Sequence, residues 1–412
     1  MSGFRYLPAV LMLLAVAALA SENLSHYPIG VLSLLGVAAL IRDPKSMLGS
    51  ADARLLLSVF ACLWIPMLLA LTDAADPARA AKTTGFYLHF LPAGLYIAHM
   101  LSDPGIRRIV ITGTVAIVGF WCVDGIIQLV SGRDLFGYPY DGSVLKGVFY
   151  PKQRFGLILA VFTPLYIHVV QRFAARSPFA WLLLAPLVVA IAFSLKRTAW
   201  MMLFVAVALY LATFFRATMK NVRTVALVAV VCVAALFAAM SAQPNLKTQI
   251  AGTLNVFSSD FETADIATSR RLSLWKTGLA VAQAHWINGV GPRGYRTVYR
   301  DFAPSDDFWI ARGTQGQTHP HLMVLEVLIE TGVIGLLGYG FALVLLLKRL
   351  WSLRIADPAS SACLMVTLVA WFPFNAHLAF YGSYWSNIAW LMLALGCTMR
   401  PPAENARLTS LN

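Results

Sequence analysis

The chain has 412 residues, of which 59% are hydrophobic and only 12% are charged. This composition excludes an ordinary soluble domain, in which charged residues make up about a quarter of the chain. The formal net charge is +13. The basic residues lie in segments between apolar runs, so they indicate contact with lipid headgroups and anionic lipid-linked molecules rather than with nucleic acid.

Apolar runs of roughly 17–25 residues, the length that a bilayer requires, recur along the whole chain. They predict an all-α, polytopic membrane protein with about twelve transmembrane helices. The first run could also be a cleaved signal peptide ending near Ala20, but we favour a retained span. The predicted spans cover residues 5–20, 27–41, 55–72, 84–101, 109–131, 155–171, 179–195, 199–215, 224–242, 322–347, 361–380 and 384–399.

The distribution of Lys and Arg predicts how these spans are oriented. With the N-terminus inside, the inner segments hold twice as many Lys and Arg residues as the short outer loops. Both termini are therefore expected in the cytoplasm. The chain then divides into spans one to nine (1–242), a large periplasmic loop (243–321), and spans ten to twelve with a cytoplasmic tail (322–412).

The predicted outer side has a loop of about twenty residues between the fifth and sixth spans, and the much longer loop before the tenth. Within the longer loop, SRRLSLWKTGLAVAQAHW (269–286) is typical of an amphipathic helix. Its Leu272, Trp275, Leu279 and Trp286 recur at helical spacing. We expect this helix to lie flat on the outer surface of the membrane, with the aromatic face toward lipid.

Several arginines lie on the predicted outer side, against the general charge bias. Arg197 occupies a tight turn between two spans, Arg270 and Arg271 open the amphipathic helix, and Arg154 precedes the sixth span. Helix starts attract anions, and the guanidinium group binds two phosphate oxygens at once. These residues are candidates for a phosphate site, and snorkelling to lipid headgroups is the alternative interpretation.

The stretch THPHLMVLEVLIETG brings histidines and carboxylates to the start of the tenth span. His319 or His321 can accept a proton near neutral pH, so either is a candidate general base. Zinc is disfavoured, because this pair has no third His or Cys nearby. Glu326 and Glu330 stand four residues apart on one helical face. They can orient a histidine, pair with an arginine or support folding.

Other polar residues at the predicted spans are open to two interpretations. Asp124 lies within the fifth span. Asn375, His377, Tyr381 and Tyr384 cluster near the outer end of the eleventh, where they could line a sugar site or simply pack.

The segment HLMVLEVLIETGVIGL (321–336) resembles the H-N-x-x-L-x-x-L-x-E-x-G signature of the O-antigen ligase and polymerase superfamily. Upstream, RLSLWKTGLA followed by GVGP, from Arg271, is similar to the R-x-x-x-W…G-x-G element of that family. Leu322 stands where the signature has asparagine, so either His319 or His321 can be aligned with its histidine. Twelve spans with one large outer loop also resemble the family, and the resemblance implies a GT-C-like glycosyltransferase fold.

The resemblance implies an activity. Ligases of this family transfer polysaccharide from undecaprenyl pyrophosphate to lipid A–core on the periplasmic face of the bacterial inner membrane, without a metal or another cofactor. Arg197 and Arg271 would then match the pyrophosphate-binding arginines, with Arg154 and Arg270 as further donor contacts. The base would be His319 or His321, and transfer would invert the anomeric centre. Glu326 and Glu330 would support the site.

Other functions remain open at this point. An O-antigen polymerase or a protein O-oligosaccharyltransferase would use the same donor. A secondary transporter would also have about twelve spans, but it predicts inverted repeats and broken helices with ionisable groups in the membrane. No repeat is visible in the sequence.

Overall fold

The computed structural model describes residues 3–21, 24–219, 252, 255–314, 316–376 and 378–398. Within these ranges every regular element is a helix, and the only β-type pairing is an isolated bridge between Arg133 and Pro139. The predicted ninth span (224–242) lies outside the described residues. The all-helical class predicted from the sequence is confirmed.

The helices that precede the large loop are α1 (Leu7–Ala17), α2 (His26–Arg42), α3 (Pro44–Leu48), α4 (Ala51–Leu69), α5 (Pro77–Tyr87), α6 (Phe90–Met100), α7 (Pro104–Ser131), α8 (Phe155–Ala174), α9 (Leu184–Phe193) and α10 (Arg197–Met219). Those in the loop and after it are α11 (Phe261–Ala267), α12 (Arg271–Ala284), α13 (Tyr295–Phe302), α14 (Phe308–Ala311), α15 (Met323–Leu353), α16 (Pro358–Ala370) and α17 (Ser383–Gly396).

Five described helices are long and apolar enough to cross a membrane: α4 with the turn that follows it, α7, α8, α10 and α15. The other predicted spans within the described ranges contain shorter helices. The predicted span 84–101 is split, because α5 ends at Tyr87 and α6 starts at Phe90. The predicted span 361–380 stops as a helix at Ala370. Pro373 explains that end, since proline disfavours helix in the residue before it.

Helices α16 and α17 form the centre of the bundle. Nearly every residue in both is buried, and α2, α6, α8 and α15 pack around them. Small residues let the two helices approach closely: a Cβ on Gly396 would lie 2.8 Å from the Leu364 side chain. The buried Thr367 hydroxyl donates to the Ala389 carbonyl at 3.1 Å and so joins the pair.

Contacts between distant loops agree with the sides that the sequence predicts. Each contact named here joins two segments predicted on the same side of the membrane. On the inner side they join Arg5 with Asp103, Arg107 with Asp357, and Arg349 with Asp52; on the outer side they join Asn288 with Thr72, Lys196 with Gln153, Arg197 with Ala267, and Tyr384 with Leu19. We therefore use "outer end" and "inner end" for the two ends of the bundle.

The described part of the large loop is a packed layer with its own small core. Helices α12 and α13 bury Leu274, Val281 and Tyr295 against Leu325 and Ile329 of α15. The structure thus has several short helices where the sequence predicted one.

The predicted amphipathic helix forms as α12, and the structure shows that a different face of this helix packs against α15. Leu274, Gly278 and Val281 are buried, whereas Leu279 and the following Trp286 are 50% and 58% exposed. The small residue explains the difference: without a side chain at Gly278, Leu325 and Ile329 of α15 pack directly on the helix backbone there.

Candidate active site

A break in α15 shapes the outer end. Gly332 has φ of 63° and ψ of −165°, which interrupts the helix within its third turn. Beyond the break, the N–H groups of Val333 and Ile334 donate to the carbonyls of Trp286 and Ile287, at 2.8 and 3.3 Å. A Cβ on Gly332 would lie 2.1 Å from the Ile287 carbonyl oxygen. Only glycine therefore fits this position, both by backbone conformation and by space.

A second glycine completes the same junction. Gly289 has a positive φ, and a Cβ there would lie 2.5 Å from the backbone of Glu330. Next to it, the Val290 N–H donates to the Ile329 carbonyl at 2.9 Å. The E-T-G and G-V-G-P elements of the sequence are thus the two faces of one close contact between the loop and α15.

Glu330 and Glu326 are buried beneath this junction, at 0% and 1% exposure. The Glu330 carboxylate accepts a hydrogen bond from the backbone N–H of Arg293 at 2.6 Å. The Glu326 carboxylate accepts from the backbone N–H groups of Phe380 and Tyr381. Both carboxylates therefore hold loop backbone in place. Both also interact electrostatically with Arg293.

The two histidines lie side by side at the start of α15. Their ring centroids are 4.0 Å apart. Trp275 of α12 holds the turn between them by donating its indole N–H to the Pro320 carbonyl at 3.1 Å. His321 Nδ1 lies 3.2 Å from the Ala376 carbonyl oxygen, which can only accept a hydrogen bond. Nδ1 therefore carries the proton, and the lone pair of the neutral ring is on Nε2.

Arg271 links His321 to other cations. Burial, and then the positive charge of Arg271, lower the pKa of His321 to about 4. Burial and Arg197 lower the pKa of Arg271 in turn. Arg197 itself donates a hydrogen bond to the Ala267 carbonyl at the end of α11. The fold thus brings together Arg197 at the start of α10, Arg271 at the start of α12 and His321 in the turn before α15.

Lys196 extends this group of cations. Burial lowers its pKa, with further contributions from the charges of Arg271 and Lys146. Its ammonium donates to the Gln153 side chain, which adjoins Arg154. Mutually repelling cations destabilise one another, and a bound anion would relieve that repulsion.

Beside the histidines is a cavity of about 570 Å³, here called the outer cavity. Five cationic side chains and His319 line it, together with aromatic residues from α5, α6 and α17. None of the described residues that line it is acidic. The cationic residues are Arg79, Lys82, Arg154, Arg293 and Arg296.

The remaining sequence-predicted residues fall into two groups. Arg154 lies in the outer cavity with its guanidinium 4.3 Å from the Tyr384 ring centroid. Arg270 instead pairs with Glu262 at 2.7 Å and lies over Phe308, so its contacts stabilise the loop. These contacts weaken the case for Arg270 as a phosphate ligand.

Of the polar residues open to two interpretations, Tyr381 and Tyr384 line the outer cavity. Asn375 and Asp124 make structural contacts: Asn375 donates to the Ala370 carbonyl, and Asp124 accepts from the Leu135 N–H at 3.0 Å. His377 lies outside the described residues.

Sequence reasoning missed four of the five cavity cations as site residues. Arg79 and Lys82 had a signal, since they are outer-loop cations that oppose the charge bias. Arg293 directly follows the G-V-G-P element, which carried its signal. Arg296 follows one turn later and had no signal of its own. Burial and the charges of Arg293 and Arg79 lower its pKa.

Unusual backbone conformations cluster at this site. Five non-glycine residues in the described ranges have positive φ: Leu195, Ser269, Arg270, Arg293 and His321. Each is a candidate site residue or precedes one by one or two positions. Such conformations cost of order 1–3 kcal/mol each and are typical of functional sites.

The comparison with known families agrees with this geometry. Residues 180–340 match the family model Wzy_C, described as O-antigen ligase. The matched region contains both arginine-bearing helix starts, the histidine turn and the break in α15. The resemblance to the O-antigen ligase superfamily is thereby confirmed. A search of curated proteins found no match.

Proposed function

We propose that the protein is an O-antigen ligase of the bacterial inner membrane. It transfers polysaccharide from undecaprenyl pyrophosphate to a sugar hydroxyl of lipid A–core at the periplasmic face, with inversion and without a metal. The outer end of the bundle is the periplasmic end in this proposal, and a GT-C-like arrangement of about twelve spans carries the site. The convergence of Arg197, Arg271 and His321 is the observation on which the proposal rests.

Arg197 and Arg271 bind the donor pyrophosphate. Charge grows on the leaving pyrophosphate as the bond between the sugar C1 and its oxygen breaks. Preorganised cations that interact more strongly with that charge lower the barrier. The half-buried positions of both arginines strengthen this effect, since their surroundings exclude much of the water. Lys196, which interacts with Arg271, adds a third positive charge.

His321 is the general base for the acceptor hydroxyl. Its Nδ1–H is oriented by the Ala376 carbonyl, so Nε2 is the nitrogen that takes the proton. In the free protein, burial and Arg271 hold the ring neutral. A pyrophosphate bound to Arg271 offsets that positive charge and raises the basicity of His321 when the donor is in place.

The outer cavity receives the acceptor. Its cations suit a phosphorylated glycolipid, and its aromatic residues offer apolar faces for sugar rings. His319 lines this cavity and contacts the His321 ring, so it lies between the two substrates. Glu326 and Glu330 support the site by holding the backbone of Tyr381 and Arg293, which line the cavity.

The metal-independent mechanism is a proposal of its own. Among the described residues, no group of three or more His, Cys, Asp or Glu side chains is arranged to hold a metal ion. The arginines would supply the charge stabilisation that a divalent cation often provides in other transferases. An assay with a chelator present tests this mechanism.

The decisive experiment is an assay of the purified protein with lipid-linked polysaccharide and lipid A–core, in the presence of a chelator. We expect polysaccharide on lipid A–core. Longer lipid-linked chains, formed from donor alone, would identify an O-antigen polymerase instead, and the family match accommodates that second candidate. In cells, loss of a ligase leaves long lipid-linked chains, whereas loss of a polymerase leaves single repeats.

The break at Gly332 also suits a transporter, which uses broken helices to bind ions. Here the loop fills the break, and the carbonyls of Trp286 and Ile287 satisfy the N–H groups beyond it. The break therefore positions the loop and its arginines. Glycoprotein staining after reaction with a protein acceptor would test the oligosaccharyltransferase alternative.

A further inference from the structure

A second cavity lies at the inner end of the bundle, whereas the candidate active site lies at the outer end. It is formed by the start of α7, the end of α8 and the start of α16, and its volume is about 790 Å³. We call it the inner cavity. Arg107, Arg108, Arg172 and Arg176 line it, with His168 and Asp357.

The charge of this lining is unbalanced. Asp357 is paired with Arg107 at 2.7 Å, and the same guanidinium also donates to Ser360 and Thr398. The other three arginines are exposed at the rim, so positive charge is in excess. The charge bias between membrane sides explains why cations lie at this end. It does not explain why two helix ends bring four arginines to one cavity.

His168 provides an independent sign of a ligand. It is only 7% exposed and lines the cavity. Its Nε2 is buried and has no hydrogen-bond partner among the described residues. A buried polar nitrogen without a partner is costly, and a phosphate oxygen entering the cavity could accept its hydrogen bond. Arg107 and Arg172 lie within electrostatic reach of the same ring.

The inner cavity also has an apolar wall. Ile111, Val169 and Phe173 line it on the side of the bundle helices. A cationic rim beside an apolar wall, at the end of membrane-crossing helices, matches the boundary between a lipid headgroup and its acyl chain. A small soluble anion would not need that wall.

We propose that the inner cavity binds one anionic phospholipid. Its phosphate contacts Arg108, Arg172, Arg176 and His168, and an acyl chain lies along Ile111, Val169 and Phe173. A headgroup with two phosphates would balance the excess charge better than a headgroup with one. This site is separate from the candidate active site and does not depend on the proposed transferase activity.

The test measures lipid binding to the purified full-length protein by native mass spectrometry in a neutral detergent. Cardiolipin, phosphatidylglycerol and zwitterionic phosphatidylcholine are compared. The variant Arg172→Gln with Arg176→Gln should weaken binding of the anionic lipids by about 30-fold, since each cation near the membrane surface contributes about fivefold. The matched control is Arg42→Gln with Lys45→Gln, two exposed inner-end cations outside the cavity.

A second variant, His168→Leu, tests the buried contact. It should weaken anionic lipid binding about tenfold while the protein stays monodisperse, because one hydrogen bond to a charged group is lost. Equal loss in the Arg42 and Lys45 control would overturn the proposal, since it would show general attraction to basic surface. Equal binding of phosphatidylcholine would also overturn it. Binding of soluble glycerol phosphate as tightly as lipid would show a free-phosphate site instead.

Discussion

The two cavities use the same residue types in opposite ways. At the inner end, the rim arginines are exposed and an aspartate pairs with the one arginine that is half-buried. At the outer end, Arg154, Arg293 and Arg296 are half-buried, and none of the described residues lining the cavity is acidic. The outer arrangement is the more costly one, because buried like charges repel with little screening.

The carboxylates explain this difference. Inner-end aspartates bind guanidinium groups: Asp52 pairs with Arg349, and Asp357 with Arg107. The buried outer-end glutamates bind backbone N–H groups instead. Arg79 is the outer cavity cation with an aspartate partner, Asp76 at 2.9 Å, whereas Glu330 positions Arg293 through its backbone N–H. A site that stores positive charge in this way is suited to a ligand that brings its own negative charge.

The largest expected effect comes from Arg271→Ala, which removes a proposed contact to the pyrophosphate of the lipid-linked donor at the outer end. Transfer should fall about 1,000-fold or more, since one preorganised charge-stabilising group contributes about 100- to 1,000-fold and the arginine also binds the donor. The purified transfer assay measures this loss. Arg300→Ala, an exposed change in the same loop, should keep full activity. Wild-type transfer by a folded Arg271→Ala protein would contradict the assigned role.

The histidine turn gives the next effect. His321→Ala should lower kcat by at least about 100-fold, the lower range for a general base. His319→Ala should lower it less and raise KM for the acceptor, because His319 lines the outer cavity. Steady-state kinetics with both substrates separate the two roles. The reverse pattern would assign the base to His319.

A smaller effect tests whether the outer cavity holds the acceptor. Arg296→Gln should raise KM for lipid A–core about tenfold and change kcat little, since it removes one charge-assisted contact. The control Arg300→Gln lies on the exposed face of the same helix, α13. An unchanged acceptor KM would place the acceptor elsewhere, and a raised donor KM would mean that the cavity binds the donor.

The sequence predicted some parts of this comparison well and others poorly. Apolar length located a helix in each described span, and charge bias assigned loops to sides that their contacts agree with. The sequence pattern could not show that α5 and α6 are separate helices, because a short turn between apolar segments has no distinct periodicity. The sequence also did not predict the contact between α12 and α15: Gly278 is a packing surface through its missing side chain, which hydrophobic spacing does not register.

The candidate site was partly predictable for a similar reason. Arg197, Arg271 and the histidines belong to motifs with local signals, such as helix starts and adjacent imidazoles. Arg296 depends on the close contact between the loop and α15, at Gly289 on one side and Gly332 on the other, which brings two distant segments together. Tertiary contacts of that kind have no local signature. Arg270 had the same local signal as Arg271, but it pairs with Glu262 across a turn.

The smallest expected effect is a pH dependence that distinguishes buried from exposed bases. Burial and Arg271 lower the pKa of His321 to about 4, and the base acts in its neutral form. The free protein therefore keeps an active base as pH falls from 8 to about 5, and kcat/KM should drop only near pH 4. Donor pyrophosphate beside Arg271 favours the protonated ring, so the acid limb of kcat should lie at higher pH than that of kcat/KM. Rates measured after return from each pH to pH 7 control for unfolding. An acid limb of kcat/KM near 6.5, the ordinary histidine value, would show that the base is solvent-exposed, and His321 would then not be that base.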